Sequence, residues 1–232
     1  MTDKTALVVG ASRGIGLGLV KELVGRGWKV IATRRSPKSD KGLQVFADAS
    51  NGKVLIEPLD MEDFDQIDAL AKKLCDAQLD LVFVNAGIGG SHEPLPEVTR
   101  EDVTTLFVTN VLAPVKLAQA LEPRVKDGGT IALMTSGLGS VGADFHFGML
   151  IMYPASKAAL NKLTRDWTVT LDAGRKLTVL SMSPGWVKTD LGGQNAMITV
   201  EESAKGCIDV VEAKAGTGQH GFYGHNGEII PW

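Results

Sequence analysis

Cysteine, tyrosine and a charge excess of either sign are all scarce in this chain of 232 residues. Its two cysteines, Cys75 and Cys207, stand in stretches with helical patterning and belong to no Cys-x-x-Cys or similar motif. That argues against a disulfide scaffold or a cysteine-based zinc site and implies a reducing, cytoplasmic setting. The four histidines, His92, His146, His220 and His225, lack ligand spacing, so no metal is expected. A formal net charge of −3 supplies no basic field for a phosphate backbone, and nucleic acid is not an expected partner. The residues from Met1 to Thr5 lead into an apolar strand without the hydrophobic region of a signal peptide. The uncharged stretch from Gly128 to Ala143 is rich in Gly, Ser and Thr and falls short of the roughly 20 apolar residues needed to span a bilayer. No Pro/Gly/Ser-rich linker, charge block or fixed-period repeat divides the chain, so residues 1–232 are expected to form a single domain.

With 44% hydrophobic and 22% charged residues, the chain can close a substantial core. Short apolar or β-branched runs recur: Ala6 to Val9, Lys29 to Thr33, Lys53 to Ile56, Leu81 to Val84, Thr130 to Met134 and Leu177 to Met182. Between them lie segments with helical spacing, such as Leu17, Val20, Leu23 and Val24, or Ile67, Leu70, Ala71 and Leu74. Continuous apolar strands joined by helices predict a parallel sheet covered on both faces, a doubly wound α/β fold.

The segment Val9-Gly10-Ala11-Ser12-Arg13-Gly14-Ile15-Gly16 follows the first strand and opens the first helix. Glycines there let the backbone approach a pyrophosphate, and the helix N-terminus directs unpaired amides at it. An acidic residue some 20 positions on would bind the ribose diol of NAD, whereas arginine accommodates the additional phosphate of NADP. Here the second strand ends in Arg34 and Arg35, and every charged residue from Arg26 to Ser39 is basic. Arg34 and Arg13 can flank a dianionic phosphate, so NADP(H) is the expected cofactor.

One of only two tyrosines begins Tyr153-Pro154-Ala155-Ser156-Lys157. Pro154 suits a first helical turn, which sets Tyr153 and Lys157 about one turn apart on one face. An ammonium near a phenol is expected to lower the phenol's pKa from its ordinary value of about 10 toward useful acid/base chemistry.

Together these motifs identify the sequence, by resemblance, as similar to the short-chain dehydrogenase/reductase family, over nearly the whole chain. Gly10, Gly14 and Gly16 match its glycine motif, and Asp60 with Met61 matches its adenine-side aspartate. Asn85-Ala86-Gly87 closes the fourth strand, Asn110 lies in the next helix, Ser136 ends the fifth strand, and Tyr153 with Lys157 forms the signature pair. Pro184, Gly185, Val187 and Thr189 match the nicotinamide-contacting turn. The stretch Ser136 to Ser140 and the ending from Gly221 to Trp232 resemble the subgroup of C-factor and sniffer-type carbonyl reductases.

The resemblance implies a Rossmann fold with a mostly parallel sheet of about seven strands, and NADPH-dependent reduction of a small-molecule carbonyl. Tyr153 would be the proton donor, Ser136 would hold the carbonyl oxygen, Lys157 would bias Tyr153 and bind the nicotinamide ribose, and Asn110 would hold a water. Ser140 stands at a spacing common in the wider family; Ser136 is preferred because it directly follows the apolar strand. Val9 and Val84 depart from the family pattern, removing a hydroxyl that ties the glycine loop to the fourth-strand turn. The segment from Val141 to Met152, with Phe145, His146, Phe147, Met149 and Leu150, reads either as an apolar substrate wall or as packing. Trp186 reads as a neighbour of the nicotinamide or as packing beside its turn. Helical stretches from Val103 to Leu121 and from Tyr153 to Leu171 lead to an expected homodimer, with a tetramer as the other possibility. The rival reading is a nucleotide-binding sensor or signalling protein on the same fold. A sugar-nucleotide epimerase is disfavoured by the little chain that follows Thr189.

Overall fold

The computed structural model describes residues 4–40, 42–143 and 151–232. Seven strands form one sheet: β1 (Thr5–Val9), β2 (Lys29–Arg34), β3 (Val54–Pro58), β4 (Leu79–Val84), β5 (Val125–Met134), β6 (Thr178–Ser183) and β7 (His220–Gly224). Their order is β3-β2-β1-β4-β5-β6-β7, and every neighbouring pair is parallel. The helices are α1 (Gly14–Gly25), α2 (Leu43–Asp48), α3 (Phe64–Lys73), α4 (Arg100–Phe107), α5 (Ala113–Leu121), α6 (Met152–Thr168) and α7 (Val200–Lys214).

The sheet's two faces explain why its strands are apolar without alternation. In β1, Ala6 and Val8 enter a cluster with Leu19, Val20 and Leu23 of α1 and Cys207, Ile208 and Val211 of α7. Leu7 and Val9 enter the opposite cluster, with Ile67 and Leu70 of α3, Leu117 and Leu121 of α5, and Leu160 and Trp167 of α6. All four strand residues are fully buried, which a parallel sheet clad in helices requires. Winding runs outward from β1 through β2 to β3, then restarts at β4 in the other direction. The chain segments that leave the carboxyl ends of the paired strands β1 and β4 therefore run to opposite sides, and a crevice opens outside those ends.

Two sequence expectations need correction. The stretch from Val103 to Leu121 is not one regular helix: α4 and α5 are separated by a π turn over Val108–Leu112. Asn110 lies in that turn, and its amide accepts from Ile88 N at 2.8 Å and donates to Ile88 O at 2.8 Å. The widened turn accompanies that contact with the backbone beyond β4, an arrangement frequent at functional sites. Cys75 lies just past the end of α3 and is exposed, whereas Cys207 is buried within α7. Residues 100–124 are long and apolar enough to cross a membrane by composition, yet half of the most apolar window is buried inside the domain, as in a core helix.

Candidate active site

The loop between β1 and α1 is held from three sides. Gly10 has φ +80°, its amide donates to Thr33 Oγ1 at 3.0 Å, and its carbonyl accepts from Asn85 Nδ2 at 2.9 Å. Ala11 N adds a bond to Thr33 O at 2.8 Å. Thr33 thus supplies a hydroxyl tether where Val9 and Val84 carry none, a compensation the linear sequence did not disclose. At Gly16 a side chain is impossible, because a Cβ would stand 2.1 Å from Gly10 O.

Helices α3, α4 and α7 have their first amides capped by Asp63, Thr99 and Thr199. Helix α1 has no side-chain cap and no acidic residue in its first turn. Its amides consequently face the cleft with a partial positive charge, which suits a pyrophosphate. The cleft, about 500 Å³, is lined at this end by Gly10, Ser12, Arg13, Gly14 and Ile15, and on its flanks by Asp60, Met61, Asn85, Ala86, Gly87 and Thr189. These donors fit the dinucleotide expected from the sequence.

The arginines are less simple than the sequence suggested. Arg34 Nη1 pairs with Asp40, and Nη2 donates to Gln44 Oε1 at 2.9 Å. Asp40 lies one residue beyond the acid-free stretch and folds back on β2. Burial alone would raise its pKa, but the amides of Gly42, Leu43 and Gln44 and the Arg34 guanidinium together hold it below the usual carboxylate range. Arg34 is therefore a neutralised pair rather than a free cation. Arg13 pairs with Asp190, both side chains being more than half exposed. Arg35 is exposed and lines the cleft, and its side chain has no ion pair among the described residues.

Beside the cleft lies a second cluster. Tyr153, in the first turn of α6, has as its polar neighbour Ser136, which follows β5 by two residues. Ser136 Oγ also accepts from Leu138 N at 3.2 Å. Lys157 is buried, its Nζ donating to Met134 O at 3.0 Å and standing 5.7 Å from the centre of the Tyr153 ring. Asn110 Nδ2 also donates to Ser156 Oγ at 3.2 Å, and Ser156 donates to Tyr153 O at 2.7 Å. The cluster meets the cleft at Gly87, where a Cβ would lie 3.3 Å from Lys157 Nζ and 3.2 Å from Asn110 Oδ1.

Electrostatics here run opposite to the sequence expectation. Burial pushes the Tyr153 phenol up to about 12, outweighing the Ser136 hydroxyl, which lowers it. Burial also brings Lys157 down to about 8. Lys157 still carries its proton near neutral pH, but burial of the phenol outweighs any pull of that ammonium on it. Tyr153 is a protonated acid near neutral pH, the state needed to donate a proton.

Ser140 is occupied elsewhere: its hydroxyl donates to Pro231 O and accepts from Ala143 N at 2.9 Å. Pro184, Gly185 and Val187 do not line the described cleft, while Lys188, Asp190, Leu191, Glu62 and Thr109 do. Gly185 has φ +81° beneath His225 and Ile198, and Trp186 Nε1 donates to Gly192 O at 2.7 Å. That bond ties the indole to the turn, and Trp186 remains 42% exposed. Residues Phe145, His146, Phe147, Met149 and Leu150 lie outside the described residues. No cluster of three metal-ligating side chains occurs among the described residues.

The chain belongs to the short chain dehydrogenase family, whose model matches residues 4–197. C-signal of Myxococcus xanthus is 32% identical over 166 residues, 71% of this chain and 99% of that protein. A carbonyl reductase of Pseudomonas aeruginosa PAO1, solved in complex with NADP, superposes with a TM-score of 0.91 at 36% identity over the whole of both chains. The carbonyl reductase Sniffer of Drosophila melanogaster gives 0.88 at 29% identity, covering 99% of this chain and all of its own. The protein is thus an oxidoreductase-family chain of the C-factor and sniffer type.

Proposed function

We propose that the protein is an NADPH-dependent carbonyl reductase that converts an aldehyde or ketone to the alcohol, the whole chain acting as one catalytic domain in a reducing cytoplasm. The observation that carries this reading is the convergence of Tyr153, Ser136 and Lys157, with Lys157 meeting the cleft at Gly87. NADP-bound and carbonyl-reducing neighbours support the cofactor and the substrate class. NADP(H) would lie with its pyrophosphate on the uncapped start of α1 and its additional phosphate near Arg13, Arg34 and Arg35; when bound, NADPH supplies the hydride. Pro184, Gly185, Val187 and Thr189 would border its nicotinamide end.

Ser136 holds the carbonyl oxygen by a hydrogen bond from its hydroxyl, fixing which face of the carbonyl is presented. Tyr153 donates its phenolic proton to that oxygen as negative charge develops on it, completing the alcohol. Lys157 returns a proton to Tyr153 and binds the adjoining ribose. Asn110 is a positioning residue: its amide locks Ile88 and Ser156, and Ser156 in turn holds the backbone of Tyr153. Arg34 is set by Asp40 for phosphate recognition, and Asp60 with Met61 flanks the adenine.

The test is NADPH oxidation against a panel of aldehydes, ketones, diketones and quinones, with NADH in parallel. Turnover with NADPH exceeding that with NADH supports the reading; no turnover of any carbonyl overturns it. A cofactor-occupied signalling protein is the second reading, favoured by the likeness to C-signal. It requires NADPH binding without turnover in the same panel.

A further inference from the structure

The eight residues from Ser136 to Ala143 form the rim that carries the hydroxyl nearest in role to Tyr153, that of Ser136. Its inner part is fixed to the fold's core: Gly137 N donates to Ser183 Oγ at 2.9 Å, and Asn161 Nδ2 donates to Gly139 O at 3.3 Å. Gly139 presses directly on α6, since a Cβ there would stand 2.7 Å from the carbonyl carbon of Lys157. Its outer part is held by something else. Ser140 donates to the carbonyl of Pro231, and Gly142 N donates to the carbonyl of Trp232 at 2.8 Å.

Those two carbonyls belong to a segment that doubles back along β7. Gly224 N bonds Glu228 O at 2.9 Å, Ile230 N bonds Phe222 O at 2.9 Å, and Tyr223 bridges Ile229 in antiparallel fashion. The Trp232 ring then inserts between β7 and α6. It lies 4.9 Å from the His220 ring and 5.5 Å from Phe222, with the Arg165 guanidinium 5.5 Å from its centre. His220 is a neutral partner, because burial, aided by Arg165, lowers its pKa to about 4, and its Nδ1 is within 3.2 Å of Thr168 Oγ1 on α6. One aromatic plug thus connects the outer sheet edge, the helix of Tyr153 and the rim of Ser136.

We propose that Pro231 and Trp232 are positioning residues for the carbonyl-binding side of the site, acting as a strap that holds the Ser136 rim against α6. The strap contacts neither the glycine loop nor Arg13, Arg34 and Arg35. Its loss leaves NADPH binding intact and misplaces the Ser136 hydroxyl relative to Tyr153. Displacements of about 1 Å in such arrangements cost up to a hundredfold in rate. The proposal rests on the reductase reading for its kinetic consequence and on the contacts alone for its structural one.

The experiment compares wild type with Trp232→Ala, Trp232→Phe and Gly142→Ala. Gly142→Ala presses a methyl on the strap from the other side, 3.1 Å from Trp232 O and 3.3 Å from Pro231 Cβ, at a surface turn whose folding is not at stake. Trp232→Ala is expected to lose roughly ten- to a hundredfold in carbonyl kcat/KM with an unchanged NADPH dissociation constant. Trp232→Phe is expected to recover most of the loss, and Gly142→Ala to show a smaller loss of the same kind. Hydrogen exchange at residues 137–142 should rise in both alanine variants. A folded Trp232→Ala with wild-type kcat/KM and wild-type exchange overturns the strap; so does an equal weakening of NADPH binding. If Trp232→Ala fails to fold, Gly142→Ala decides by the same readings. Absence of carbonyl turnover in the wild type overturns the reductase reading instead, and the exchange measurement still judges the strap.

Discussion

Replacing Tyr153 by Phe removes one oxygen and leaves the ring in place. In the folded protein that oxygen is buried beside Ser136, whose Oγ keeps its bond from Leu138 N at 3.2 Å. The stability cost is then about 1 kcal/mol, a shift of about 2–4 °C in Tm for a chain of this size. NADPH binding is untouched, since the glycine loop and its tethers through Thr33 and Asn85 lie elsewhere. Catalysis is affected on a different scale. Losing a positioned acid typically removes two to four orders of magnitude, about 3–5 kcal/mol of transition-state stabilisation. The assay is the decay of NADPH absorbance with the best carbonyl of the panel, beside cofactor titration and thermal unfolding of the same samples. A variant that turns over within about tenfold of wild type refutes Tyr153 as proton donor, because no general-acid role is that small. A variant that unfolds or loses NADPH would refute the stated separation between the tyrosine and the cofactor cradle.

Three further outcomes are expected. Lys157 is brought down to about 8 in the folded protein from its ordinary 10.5, so between those values the unfolded chain binds the extra proton and stability rises with pH. Tyr153 opposes this only between 10 and about 12. Lys157→Met should flatten the lower window in chemical denaturation while abolishing turnover; an unchanged slope would contradict the buried-ammonium argument. Arg13→Ala combined with Arg34→Ala should reduce the preference for NADPH over NADH by at least about tenfold, read as a ratio of dissociation constants, because a dianionic phosphate loses two guanidinium partners. Retention of the preference would transfer the role to Arg35. Leu112, Leu163 and Val169 leave exposed apolar surface at α5 and along α6, and the expected assembly is a homodimer; light scattering at a monomer mass over the working concentration range counts against it.

Much of the architecture and half of the site could be read from the linear chain, because the signals are local. Unbroken apolar runs such as Ala6 to Val9 require cover on both faces, and helical spacing between them supplies it. A glycine-rich turn between strand and helix, and a tyrosine one helical turn before a lysine, are set by backbone geometry within a few residues. Other features arise from groups far apart in sequence or from desolvation, which no local pattern encodes. Asp40 folds back on Arg34 through the capping of α2. Thr33 replaces a missing hydroxyl tether only because β2 lies beside β1. Asn110, within the π turn, meets Ile88, 22 positions away. Ser136 rather than Ser140 is the serine that acts on Tyr153, since Ser140 is held by Pro231, 91 positions away. Burial, decided by the packing of α6 against the sheet, keeps the phenol protonated and lowers the lysine, reversing what their adjacency alone suggested. Sequence determined which groups share a turn of helix or a loop; tertiary structure determined which are removed from water and which distant partner each one meets.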